Sequence, residues 1–157
     1  LGEISGFRKN YIVNWLSSVS QTMIICQNKQ GISEFLPKQK KVVCTYHGKA
    51  DEALALEHLE KIVHFYQSKA PIVDVAIVDL RALYGSFIKL MGYFTNTFYP
   101  AITKTSLRAQ IIVVNDDMII NHLVSKLVLV TDLFSIKTRV FFSMADAEEW
   151  VNEFLKN

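Results

Sequence analysis

From Lys41 onward, strand and helix patterns alternate four times along the chain. Each short run rich in β-branched residues is followed by a longer stretch whose apolar residues recur every three to four positions. The predicted strands cover 41–47, 73–80, 109–114 and 138–142, and the predicted helices cover 50–69, 86–102, 115–130 and 143–157. This alternation is typical of a mainly parallel sheet packed against helices, because parallel strands need long crossover connections.

Residues 1–40 carry a different pattern. Two strand-like runs, Tyr11–Ser17 and Thr22–Gln27, are predicted to pair as antiparallel strands at one edge of the sheet. Asn28–Gly31 is predicted to be a turn, and Pro37 begins a predicted polar loop. The predicted fold is therefore one α/β domain over residues 1–157, with about four helices and N-terminal antiparallel edge strands.

Helix boundaries follow from local signals. Pro100 is predicted to end the second helix, since proline disrupts a helix interior. Asn115 or Asp116 is the predicted N-cap of the third helix, and Ser143 is the predicted N-cap of the fourth. These boundaries place the polar residues that follow each strand at one edge of the sheet.

Composition and motifs exclude several functions. The 157 residues have a formal net charge of +2, and the one basic run, Lys38–Lys41, is too short for a nucleic-acid surface. Nucleotide-binding glycine motifs and metal-ligand spacings are absent from the sequence, so no cofactor and no metal is predicted. Cys26 and Cys44 lie in apolar strand-like runs without CxxC spacing, which favours reduced core thiols in a cytoplasmic protein. No membrane span is predicted.

Candidate site residues follow the central strand, in the stretch IVDVAIVDLRALYGSF. Asp79 and Arg81 are two apart, so we expect an ion pair, with anion capture by Arg81 as the alternative. Ser86 opens the next helix either as a cap or as a phosphoacceptor, since phosphate is stabilised at a helix N-terminus. His47, Asp116 and Ser143 follow strands at the same predicted edge, yet no nucleophile has an evident base, so catalysis is the weakest reading.

The predicted helix around 118–134 carries more apolar residues than one buried face requires. The excess can pack under the neighbouring helix or the N-terminal segment. It can also form a homodimer surface, for which Ile120, Val124 and Val128 are the candidates, or line a lipid-like pocket.

Three segments of the chain resemble a known family. VAIVDLRALYGS, FYPAITKTSLRAQIIVVNDD and TRVFFSMADAEEWV are similar to the central strand, the linker and the closing strand and helix of STAS domains, in the bacterial SpoIIAA-like (STAS/SEC14-type) branch. The resemblance covers about residues 41–155. In the antagonist members an Asp-Ser-Ser-Gly motif is phosphorylated by a partner kinase. Tyr84, Gly85 and Ser86 stand at that place here, so the resemblance implies Ser86 as the phosphoacceptor.

The resemblance and the site residues together predict a non-enzymatic regulatory domain that binds a protein partner. A second copy of the chain, in a homodimer, is one such partner. The binding surface would contain Asp79, Arg81, Tyr84, Ser86 and Asp116. The alternative, which the SEC14 side of the resemblance implies, is a module that binds a small molecule or lipid in an apolar pocket beside the third helix.

Overall fold

The computed structural model describes residues 21–68 and 72–157. The predicted strand Tyr11–Ser17 lies outside these residues. The described chain forms six strands, β1 (Met23–Asn28), β2 (Gly31–Leu36), β3 (Lys41–Lys49), β4 (Val75–Tyr84), β5 (Ala109–Val113) and β6 (Lys137–Phe141). Its helices are α1 (Glu52–Gln67), the composite segment α2 (residues 88–102), α3 (Met118–Leu133) and α4 (Met144–Lys156).

The six strands form one sheet in the order in which they occur in the chain. β1, β2 and β3 pair antiparallel, whereas β3, β4, β5 and β6 pair parallel. The mixed, mainly parallel sheet and its antiparallel N-terminal edge confirm the predicted fold class. Because the three parallel crossovers run in the same direction across the sheet, the right-handed rule places α1, α2 and α3 on one face.

The two faces of the sheet carry separate cores. The larger core joins α1, α2 and α3 to residues such as Val42 and Ile112. The smaller core packs Ala147 and Val151 of α4 against β4 and β5. β5 is buried along its whole length because helices cover both of its faces.

The antiparallel edge differs from the prediction in one strand. β2 lies between the predicted turn and the predicted loop, in residues to which no strand was assigned, and β1 pairs with β2 through the turn after Asn28. Ser33 and Glu34 weaken the apolar pattern of β2, but Gly31, Ser33 and Phe35 are buried at alternate positions. The two-residue period of a strand is therefore present with a polar residue on its buried face.

Two helix boundaries also differ from the prediction. α2 is a composite of Ile88–Leu90, Met91–Tyr93, Phe94–Phe98 and Tyr99–Ile102, so it continues through Pro100. A wide π turn over Phe94–Phe98 precedes the proline, and this turn relieves the clash that a proline ring causes in a regular α-helix. The N-cap of α3 is Asp117, whose side chain accepts from the Ile120 N–H, rather than Asn115 or Asp116. The predicted N-cap of α4, Ser143, is confirmed.

Candidate ligand-binding site

An apolar cavity of about 100 Å³ lies between the sheet and the two helices α1 and α2. The alternative prediction from the sequence was an apolar pocket beside the third helix. Leu127 is the residue that α3 contributes to the lining, so the cavity lies mainly beside the first two helices. Most of its lining is aliphatic or aromatic, drawn from β3, β4, β5, α1 and α2.

The residues that line the cavity extend along most of α1. Ala55, Leu59, Ile62 and Tyr66 line it from one face of α1. At a rise of 1.5 Å per residue, these positions span about 16 Å along the helix. The opposite wall comes from α2 and its entry, with Phe87 near the beginning and Ile102 at the end. A volume of about 100 Å³ spread over this length suits a slender molecule.

A surface cleft of about 450 Å³ lies against one end of the cavity. Ala50, Ala55, Phe87 and Leu90 line both spaces, so the cleft adjoins the cavity at these side chains. The rim also carries charged side chains, including Lys89 and Glu52, whose charged atoms are 3.8 Å apart across the two lips. Both are exposed, so this pair contributes little to stability.

Most polar groups that line the cavity are already hydrogen-bonded to the protein. The Gln30 side chain donates to the His47 carbonyl at 2.9 Å and accepts from the Asp51 N–H at 2.7 Å. The Gln110 amide donates to the Tyr99 hydroxyl at 2.9 Å. These contacts fix the polar groups at the cavity wall.

The cavity lining also contains Tyr66, which is only 4% exposed. Its hydroxyl has no hydrogen-bond partner among residues 21–68 and 72–157. Burial raises the pKa of Tyr66, with a smaller contribution from Cys44, so the hydroxyl stays protonated at neutral pH. Burial likewise raises the pKa of the Cys44 thiol to about 11, which keeps this cysteine in its unreactive form.

The predicted strand-tip residues come together only in part. Asp79 and Arg81 form an ion pair, with Nη2 and Oδ2 2.9 Å apart. Burial favours a higher pKa for Asp79, but hydrogen bonds from the Arg81 side chain and N–H outweigh it and lower the pKa. A register shift between β3 and β4 lies directly after Asp79, and beyond it β4 pairs only with β3. The expected ion pair between Asp79 and Arg81 is therefore present at the end of β4.

Ser86 lies past the end of β4, after Gly85 at a φ of 85°. Its hydroxyl accepts from the Ile88 N–H at 3.3 Å, two residues on, and Ser86 lines the cleft rather than the cavity. Tyr84 is exposed. Asp116 is exposed as well, while the hydrogen bonds at the start of α3 come from its neighbours Asn115 and Asp117.

The apolar surface of α3 differs from the one that the sequence indicated. Ile120 and Val124 are buried in the core, and Val128 is half-buried, so the first two are not available at the surface. The exposed apolar side chains of α3 are Met118, Ile119, Leu129 and Leu133, and Phe142 is exposed directly after β6. Helical spacing therefore predicted the buried stripe, and the surplus apolar residues lie outside it.

The structure also contains a buried pair, Ser33 and His58, that no sequence pattern predicts. The Ser33 Oγ and His58 Nε2 lie 2.5 Å apart, and both side chains are fully buried. Burial lowers the pKa of His58 to about 4, and its Nδ1 has no hydrogen-bond partner among the described residues. Neither side chain lines the cavity. The pair joins α1 to β2, and it lacks both a carboxylate on Nδ1 and a route for substrate.

No cluster of three or more His, Cys, Asp or Glu side chains within the described ranges could hold a metal ion. A search of those same ranges finds no helix with the length and apolar character to cross a membrane. Comparison of the chain with protein-family models, curated proteins and solved structures finds no match in any of the three.

Proposed function

We propose that this domain is a non-enzymatic module that binds a small, slender, apolar molecule in the cavity between the sheet and helices α1 and α2. The cavity itself carries this proposal, because natural protein cores are close-packed and seldom leave a void larger than a water molecule. The adjoining cleft supplies an entry between the start of α1 and the start of α2. The two free, buried cysteines are consistent with a reducing cytoplasm.

An apolar probe tests the proposal directly. We expect n-pentane to shift the amide NMR signals of cavity-lining residues in the wild-type protein. Ala76 lines the cavity from β4, so Ala76→Leu should fill the space and abolish these shifts. Ala145→Leu, at an exposed position on α4, is the matched control and should leave them unchanged. Pentane shifts that persist in Ala76→Leu, or that are absent from wild type, would contradict the proposal.

A second candidate function is protein binding, as the resemblance to STAS domains implies. Its structural support is the set of exposed apolar side chains on α3 and after β6, of which Met118 is 85%, Leu133 is 74% and Phe142 is 65% exposed. Leu129 and Leu133 are both exposed and lie four positions apart on one face of α3, and exposed apolar side chains of this kind favour contact with another chain. Light scattering across a dilution series measures self-association, and Leu133→Lys should weaken it if α3 forms the contact.

The phosphoacceptor hypothesis for Ser86 stays a proposal of the same kind. The hydroxyl is exposed and close to the N-terminus of α2, where a phosphate would meet free N–H groups. A pull-down from the native host with wild type, Ser86→Asp and Ser86→Ala would show whether negative charge at this position changes the binding of a protein partner. Equal recovery with all three proteins would argue against the switch.

A further inference from the structure

The polarity of the cavity wall restricts what can occupy it. No charged side chain is among its lining residues. A charged ligand group inside would lose its hydration without gaining a counter-ion, so its burial is unfavourable. The occupant must therefore be uncharged over the length that it buries.

The Tyr66 hydroxyl adds a positive requirement. The Gln30 amide and the Tyr99–Gln110 pair are already hydrogen-bonded, and the Tyr46 hydroxyl, which also lines the cavity, interacts with Ser33 and Cys44. The Tyr66 hydroxyl lines the cavity without a hydrogen-bond partner among the described residues. The Tyr66 hydroxyl is not among the fully buried atoms that lack a partner, so it keeps accessible surface at which a ligand acceptor can gain a hydrogen bond.

We infer that the cavity selects an uncharged, slender, mostly apolar molecule that carries a hydrogen-bond acceptor, a carbonyl or ether oxygen, which accepts from the Tyr66 hydroxyl. This inference rests on the proposed function. It goes further by assigning Tyr66 as the group that determines specificity. Tyr66 lies about 16 Å along α1 from Ala55 at the cleft, so the acceptor is on the end of the molecule that enters first.

A matched pair of probes, n-pentane and 2-pentanone, tests the inference by NMR titration. In the wild-type protein both should bind. Tyr66→Phe should weaken the binding of 2-pentanone roughly 2- to 10-fold, as expected for one lost hydrogen bond. The binding of n-pentane should be unchanged. Tyr93→Phe is the control, because Tyr93 is half-buried on α2 but does not line the cavity. Thermal unfolding shows that each variant is folded.

The outcomes separate this inference from the proposed function. If neither probe binds the wild-type protein, both fail. If both bind and Tyr66→Phe affects the two probes equally, the proposed function stands and the role of Tyr66 is refuted. Nuclear Overhauser contacts between 2-pentanone and the Tyr66 ring give a readout that needs no variant. Their absence from a saturated wild-type complex would also overturn the inference.

Discussion

The buried His58 should make the stability of this protein fall as the pH is lowered below neutrality. His58 is fully buried, and burial lowers its pKa to about 4 from 6.5 for an ordinary histidine. Between these two pH values the folded protein keeps His58 neutral, while the unfolded chain binds a proton at this residue. The stabilising contribution is therefore complete above pH 6.5 and is lost as the pH falls to about 4.

The size of the effect follows from the two pKa values. One pKa unit corresponds to about 1.4 kcal/mol, so the gap between 6.5 and about 4 is worth about 3 kcal/mol of unfolding free energy. Whole proteins are stable by about 5–15 kcal/mol, so a loss of this size on acidification is large relative to the total. The Nδ1 atom of His58 has no hydrogen-bond partner among the described residues, so the protonated, charged form of the ring would have no acceptor there to stabilise it at that atom.

Urea unfolding of wild type and His58→Gln at several pH values between 4 and 7 measures the effect. Glutamine can still donate to Ser33 but does not titrate in this range, so the variant should lose less stability than wild type as the pH falls. His122→Gln is the control, since His122 is exposed and meets water in both states. Parallel pH profiles for wild type and His58→Gln would refute the argument.

Further predictions concern the backbone and the ion pairs. Gly31→Ala should destabilise the protein by more than about 2 kcal/mol in urea unfolding, because the new Cβ would overlap a backbone carbonyl of β3. Gly92→Ala, at an open helical position, should instead stabilise it by about 0.5–1 kcal/mol. Glu148→Gln should cost about 1–2 kcal/mol by the same measurement, since it leaves the buried Lys41 ammonium without its partner 3.1 Å away. Glu57→Gln, in an exposed pair, should cost less than about 0.5 kcal/mol, and equal losses for the two glutamates would contradict this reasoning.

Much of the fold could be predicted because its strongest signals are local. The buried run Val75–Ile77 and the fully buried β5 have the continuous apolar sequence of parallel strands covered on both faces. The cap of α4 was also local, since Ser143 accepts from the Asp146 N–H three residues on. β2 was missed because Ser33 interrupts its apolar alternation.

The candidate site was harder to predict because it depends on contacts between distant residues. Ser33 and His58 are 25 positions apart, and nothing in either segment indicates that they meet. The cavity likewise depends on how α1 and α2 lie over the sheet. The helical stripe on α1 correctly predicted a buried face, but a periodic pattern cannot show whether that face meets protein atoms or a void.

The cavity itself leads to a prediction that separates a functional space from a packing defect. At about 24 cal/mol per Å³, a void of about 100 Å³ costs about 2 kcal/mol of stability. Ala76 and Ala55 line this void, so larger side chains at these positions would reduce the cost. We therefore expect Ala76→Leu to unfold at the same or higher urea concentration than wild type, although it loses the ability to bind n-pentane.

Ala55→Leu provides a second filling variant from α1, and Ala145→Leu controls for added apolar surface outside the cavity. A gain in stability together with a loss of binding would mean that the protein keeps an unfavourable space because a ligand uses it. Strong destabilisation by both filling variants would show instead that the walls cannot accept added atoms. In that case the expected gain in stability is refuted, and n-pentane binding by the wild-type protein alone decides the binding proposal.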